Sequence, residues 1–129
     1  MHVVRPAQRP LVPASHENPQ HPGVRKRVML QRADFADGRP QMLNWSHMPA
    51  GGAFRPHYHE DMQEVFVITA GRAEITVDGE TAPLAAGDVV VIPAGAVHAM
   101  RNTGDGPLDY VAVGFSAGRG GRTVVVAQA

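Results

Sequence analysis

Short apolar runs separated by Gly, Pro and Asp dominate this chain, and within many of them apolar and polar residues alternate. Ala73, Ile75 and Val77 alternate with Glu74 and Thr76 ahead of Asp78-Gly79, a two-residue hairpin signal, and TAPL at 81–84 resumes the pattern. In QMLNWSHM at 41–48, Met42, Asn44 and Ser46 share one face of an extended segment while Leu43, Trp45 and His47 share the other. VRKRVMLQ at 24–31 reads as an edge strand whose charges discourage unwanted pairing. Further strands are expected at Val97 to Asn102 and Leu108 to Phe115, with an edge segment at Thr123 to Val126. Val89 to Ile92 is apolar on both faces, which implies cover on both sides, from the core and from a partner subunit or packed segment. Nothing reads as strongly helical. Roughly eight to ten short strands of this kind define an all-β chain, an antiparallel sandwich or small barrel.

The pattern fails ahead of Val24. Residues 1–23 carry Pro6, Pro10, Pro13, Pro19 and Pro22 with hardly any apolar period, so they are expected to form an arm, and 24–129 the single domain. His16 and His21 fall in this arm, where isolated histidines are expected to be solvated.

Composition narrows the partners. Twelve basic and twelve acidic side chains cancel, and no basic field with stacking aromatics stands out, so neither nucleic acid nor a membrane surface is implied as a partner. A chain of 129 residues buries one core, and with no cysteine any metal must be held by nitrogen and oxygen. The N-terminal segment lacks the continuous apolar stretch of a secretory signal, so a cytoplasmic protein is expected. A homodimer is expected because the doubly apolar strand needs cover and the arm could reach a neighbour.

Candidate chemistry concentrates in GGAFRPHYHEDMQEVFVITAG at 51–71. His57 and His59, two residues apart on an extended segment, project to one side, and Glu64 follows a turn at the start of an apolar run that reads as a strand returning beside the first. Two imidazoles and a carboxylate suit Fe, Mn, Co, Ni, Cu or Zn better than calcium or magnesium. His98, after the Pro93-Ala94-Gly95 turn, is a further candidate, and His47 a weaker one whose placement the intervening Pro49 and glycines leave open. Arg55 could share the face of His57 and pair a substrate carboxylate, and Tyr110 could act as acid or hydrogen-bond donor if its hydroxyl enters a cavity. Met48, Phe54, Met62, Phe66, Met100, Tyr110 and Phe115 are candidates for an apolar pocket wall, each with ordinary core packing as its alternative. Gly51, Gly71, Gly87 and Gly95 are expected in turns with positive φ, and Asn102 at a strand end bonding backbone.

These residues resemble the cupin superfamily. Gly51, His57, His59, Glu64 and Gly71 match every position of its first motif, and Gly87, Pro93, Gly95, His98 and Asn102 match the second. The resemblance implies an antiparallel jelly-roll β-barrel of roughly six to eight strands, with His57, His59, Glu64 and His98 binding one divalent transition metal. It implies a small-molecule substrate but no single reaction. A metal-dependent dioxygenase-type oxidoreductase leads, the alternatives being a sugar or keto-acid isomerase, epimerase or decarboxylase using the metal as Lewis acid, or a non-catalytic binding barrel.

Overall fold

A computed structural model describes residues 1–116, 118 and 121–127. Eleven strands occur among them: β1 (Val12–Pro13), β2 (Arg25–Gln31), β3 (Pro40–Met48), β4 (Ala53–His59), β5 (Met62–Ala70), β6 (Arg72–Val77), β7 (Glu80–Ala85), β8 (Val89–Ile92), β9 (His98–Asn102), β10 (Leu108–Ser116) and β11 (Thr123–Val125). The described helical residues form only two short 3-10 turns, Pro6–Gln8 and Arg32–Asp34, so the all-β expectation holds with slightly more strands than the pattern suggested. None of the described helices is long and apolar enough to cross a membrane.

The strands form two antiparallel sheets, ordered β1-β2-β3-β10-β5-β8 and β11-β4-β9-β6-β7, which pack face to face as a jelly roll. Between them lies the core, with Phe54, Phe66, Ile68, Ile75, Ile92 and Met100 each no more than 3% exposed. Phe54 and Phe66 meet edge to face at 6.3 Å, and Phe66 tilts against Tyr110 at 5.0 Å. Burying side chains of this size stabilises the fold by about 1.5–3 kcal/mol each.

The turns are built as the punctuation suggests. Asp78 and Gly79 both take positive φ and join β6 to β7 in the expected hairpin. All four motif glycines adopt positive φ, and Gly71, at φ 90, also sits so close to Pro107 that a Cβ there would lie 2.5 Å from its carbonyl oxygen. Asn102 bonds backbone as expected, donating through Nδ2 to the carbonyls of Met48, Pro49 and Gly106 and accepting the Gly104 N–H at Oδ1. One side chain thereby ties the end of β9 to the loop after β3 and the loop before β10.

The arm is not a solvated tail. β1 pairs with β2, Ala14 is buried, and Glu17, only 7% exposed, accepts the backbone N–H groups of Gly23 at 2.8 Å and Arg55 at 3.2 Å. Gly23 approaches the Ala53 carbonyl so closely that any Cβ would collide with it, which fixes the path of the chain into β2. Burial pushes the Glu17 carboxyl up, but its contacts with His16 and those two N–H groups outweigh that and hold it below the usual carboxylate range.

In β8, Val90 and Ile92 turn toward the core while Val89 and Val91 remain 58% and 52% exposed, so within one chain the strand is covered on one face only. It forms the edge of the six-stranded sheet.

Candidate metal centre

The two sheets aim four side chains at one point. His57 and His59 come from β4, Glu64 from β5 and His98 from the start of β9, and one ligand atom from each lies within 4.8 Å of the others. All four are buried, at 1%, 7%, 5% and 1% exposure. The period of two puts His57 and His59 on one face, and His57 pairs His98 across the β4–β9 ladder. β5 does not return beside β4 as expected but crosses to the facing sheet, between β10 and β8, and brings Glu64 to the histidines across the core.

Each imidazole is oriented from behind. The Nδ1 of His57 donates to the Arg55 carbonyl at 2.8 Å and that of His98 to the Ala96 carbonyl at 3.0 Å, while the Nδ1 of His59 meets the Thr123 hydroxyl at 2.9 Å. A ring that gives its Nδ1 proton to a carbonyl presents, when neutral, a bare Nε2 lone pair on its other side. Thr123 reaches His59 because β11 pairs with β4, the edge pairing expected of that segment.

On the inner side the electrostatics lack a partner. The Nε2 atoms of His59 and His98 lie 2.7 Å and 3.2 Å from Glu64 Oε1, yet among the described residues all three atoms are buried without a hydrogen-bond partner. Lone pairs of His98 and Glu64 that face each other repel unless a cation sits between them. A cation bound by borderline nitrogen and oxygen donors satisfies all of these atoms at once, so the residues fit a transition-metal ion. Burial, helped by the adjoining rings of His16 and His98, pushes His57 down to about 3, so it stays a neutral ligand across the physiological range. Burial pushes the Glu64 carboxyl up, but positive charge on its His59 and His98 side, carried by protons on those rings where no cation is bound, overcomes this and holds it well below its ordinary range, so it supplies a full negative charge.

Beside this group opens a cavity of about 280 Å³, lined by the arm on one side and the six-stranded sheet on the other. Met62, Phe66 and Tyr110 face it, whereas Met48, Phe54 and Met100 are buried in the core and Phe115 is 39% exposed. Burial raises the ionisation of Tyr110 far above the usual range, against a hydrogen bond from Ser46 that lowers it, so its hydroxyl stays protonated.

Two candidate residues lie elsewhere. His47 is on the outer face of β3, 2.6 Å from Asp109 Oδ1, as the alternation of 41–48 requires once Asn44 and Ser46 face inward. Arg55 does not share the face of His57: a register shift between Phe54 and His57 breaks the alternation, the residue is exposed, and its Nε donates to the His16 carbonyl at 2.5 Å. The arm supplies a residue that the sequence expectation left in solvent. His16 stacks on His57 with ring centroids 3.9 Å apart and planes 16° apart, with its Nδ1 held 2.9 Å from Glu17 Oε2, and it lines the cavity. No periodicity or motif marks it; the adjacent Glu17 is the only local hint of a held imidazole.

A jelly roll with a buried His-His-Glu-His group and an adjoining cavity defines a class of small-molecule barrels rather than one activity. The family model described as "Cupin domain" matches residues 44–114, and the chain belongs to the cupin family. An oxalate-binding protein of Thermotoga maritima is 33% identical over 66 residues, which are 51% of this chain and 54% of that protein. Quercetin 2,3-dioxygenase of Bacillus subtilis is 43% identical over 51 residues, 40% of this chain but only 15% of the enzyme. The chain therefore spans about half or less of the length of these relatives. Among solved structures, a predicted oxalate decarboxylase from Thermotoga maritima superposes with TM-score 0.79 at 25% identity, over 89% of this chain and 99% of that one. The polyketide cyclase RemF of Streptomyces resistomycificus, at TM-score 0.77 and 19% identity over 100% and 87% of the two chains, shares the fold.

Proposed function

We propose that this chain is a metal-dependent cupin enzyme acting on a small organic molecule, with dioxygenase-type oxidation as the leading reaction. The observation that carries this is the trio of buried, partnerless atoms, His59 Nε2, Glu64 Oε1 and His98 Nε2, beside a cavity large enough for a small substrate. His57, His59, Glu64 and His98 would hold one divalent ion of Fe, Mn, Co, Ni, Cu or Zn. Bound there, such an ion supplies oxygen activation if it is redox-active, or Lewis-acid polarisation of a substrate carbonyl if it is not. The chain's own part is to fix the three rings through their Nδ1 partners, keep His57 neutral and Glu64 charged, and exclude bulk water with the arm. Tyr110 would serve as a neutral hydrogen-bond donor to substrate from the cavity wall, and Arg55 would act only indirectly, by holding the arm at the His16 carbonyl.

Quercetin dioxygenase among the relatives supports the oxidative reading. The predicted oxalate decarboxylase supports a non-oxidative, Lewis-acid reading on the same four residues. Elemental analysis of protein purified without a nickel column, followed by oxygen-uptake assays, separates them. Retention of full metal content by both His57→Ala and Glu64→Ala would sink the ligand assignment. Turnover that persists without oxygen would remove the dioxygenase reading.

We place the protein in the cytoplasm and expect it to act as a homodimer. Support for the dimer comes from the outer face of the six-stranded sheet, where two apolar rows run across four strands in register. Trp45, Val111, Val67 and Val89 make one row and Leu43, Val113, Val65 and Val91 the other. Trp45, Val89 and Val91 are 38%, 58% and 52% exposed, so a second copy laid on this face would bury a continuous apolar patch. Gel filtration should give a dimer that Val91→Glu converts to monomer; a monomeric wild type at micromolar concentration removes this expectation.

A further inference from the structure

The wall of the cavity opposite the arm is polar where a barrel interior is ordinarily apolar, and the register of the sheet shows how. Lys26 pairs Ser46, and Ser46 pairs Tyr110, in one inward row. Asn44 pairs Ala112, which pairs Phe66, in the next. Met42 pairs Gly114, which pairs Glu64, in the third. Rows two residues apart are separated by about 6.6 Å, so Asn44 stands between the Lys26 row and the row of the metal group.

Two groups in this wall lack what they are built to bind. Asn44 is 6% exposed, lies between apolar neighbours on β2 and β10, and its Oδ1 is buried with no hydrogen-bond partner among the described residues. A buried acceptor left so is uncommon in native proteins and calls for a water, an ion or a ligand group to complete it. Lys26 lines the same cavity, its Nζ donating among the described residues to Ser15 Oγ at 2.9 Å, a neutral partner from the arm. Lys26 is half-buried, and burial lowers its affinity for a proton while Glu64 raises it; its ammonium stands at the solvent-facing side of the cavity with no direct carboxylate partner among the described residues. Phe66, Met62 and Ala112 supply apolar surface between these polar points.

We infer that the cavity takes a small hydroxy acid, its carboxylate on the Lys26 ammonium and its hydroxyl donating to Asn44 Oδ1. A dicarboxylate without a hydroxyl would leave Asn44 unpaired, and a neutral alcohol would leave Lys26 without an anion. The cavity volume of about 280 Å³ limits the acid to a few carbons or one aromatic ring. This inference rests on the reading of the cavity as the substrate site beside the metal group, and it assigns Lys26 and Asn44 as substrate-binding residues.

Isothermal titration of the metal-loaded protein tests it with lactate and mandelate. Propionate and phenylacetate lack the hydroxyl, and lactamide and mandelamide lack the charge. At least one hydroxy acid should bind about tenfold more tightly than its deoxy analogue and its amide, the effect of one hydrogen bond to a buried partner. Lys26→Met should weaken both acids about tenfold and leave the amide unchanged. Asn44→Leu should abolish the preference for the hydroxyl while leaving the deoxy acid within about twofold. A hydroxy acid also chelates metal better than its deoxy analogue, so a preference that survives in Asn44→Leu overturns the assignment of Asn44. Unchanged acid binding by Lys26→Met overturns that of Lys26, and no binding by any of the six probes overturns the ligand class. If Asn44→Leu does not fold, Asn44→Ala carries the same comparison. Elemental analysis keeps the two readings apart: loss of hydroxyl preference with metal retained strikes only this inference, whereas a wild type that binds no metal strikes the proposed function.

Discussion

Gly71→Ala tests how the turn behind Glu64 is built. Gly71 ends the β5 side of the β5–β6 turn at φ 90, and a Cβ there would sit 2.5 Å from the Pro107 carbonyl oxygen and 3.0 Å from Leu108 Cα. Left-handed backbone costs an alanine about 1–2 kcal/mol. The collision adds about 1–3 kcal/mol, because the obstructing atoms are backbone at the start of β10 and cannot rotate away. Together the substitution should cost about 2–5 kcal/mol, a large part of the 5–15 kcal/mol that holds a domain of ordinary stability. At about 4 °C per kcal/mol, Tm should fall by about 8–20 °C. Gly95→Ala is the control: its φ is 79 but nothing lies within 4 Å of the added Cβ, so it carries the backbone cost alone and should lose about 4–8 °C. Calorimetry or thermal denaturation followed by circular dichroism measures both. Equal losses for the two variants would refute the claim that close approach, and not φ alone, requires glycine at Gly71.

Three further outcomes follow from the buried polar groups. Asn102→Ala removes hydrogen bonds to the Met48, Pro49 and Gly106 carbonyls and to the Gly104 N–H, and should cost about 2–4 kcal/mol in urea denaturation. Metal content should nonetheless stay near wild type, since Asn102 ties loops and touches no candidate ligand; metal loss would show the loops position His98. In metal-stripped protein, His57 stays neutral down to about 3, against an ordinary value of 6.5, so the unfolded chain takes up a proton that the fold refuses. Stability should therefore fall as pH drops from 6.5 toward 3, and the depressed carboxyl of Glu64 adds in the same direction below 4.5; an unchanged Tm between pH 7 and pH 5 contradicts this. Glu17→Ala leaves the Gly23 and Arg55 N–H groups without their buried acceptor and should cost about 3 kcal/mol. Trypsin should then cut after Arg25 or Lys26, on the strand that β1 of the arm covers, faster than in the wild type, and equal cleavage rates would mean that Glu17 does not hold the arm in place.

The two ligand-bearing segments were legible because their residues obey rules that need no tertiary information. His57 and His59 share a face by the period of the strand, and Gly71, Gly95 and Asn102 mark turns by their own conformational chemistry. Arg55 escaped the same rule because one register shift beside Pro56 reverses inside and outside, and alternation carries no sign of a bulge. His16 escaped for a different reason. It is placed by single contacts, Glu17 to two N–H groups and Gly23 against Ala53, and none of these repeats along the chain to make a pattern.

The face of β3 could be written from the sequence, but not its direction, and the usual rule would have chosen wrongly. Leu43 and Trp45 are the more apolar set, yet they face outward, while Asn44 and Ser46 face the interior. Burying an asparagine in place of a leucine is unfavourable unless its polar atoms are paired, and exposing a row of Trp, Leu and Val is unfavourable unless something covers it. Both costs arise on the same strand and neither is fully offset within one chain, since Val4, Pro6 and Leu11 of the arm border Trp45 yet leave it 38% exposed. A ligand hydroxyl on Asn44 would remove the first, and a second subunit over Trp45 and Leu43 would remove the second. An inverted strand of this kind is thus a stronger sign of function than the ligand motifs, which establish a family without choosing its substrate. The inversion also separates the two expectations experimentally, because Asn44→Leu should leave the dimer intact and Val91→Glu should leave hydroxy-acid binding intact. If either substitution disrupted both properties, the two faces of the sheet would be coupled through β3, and neither cost could be assigned to its own partner.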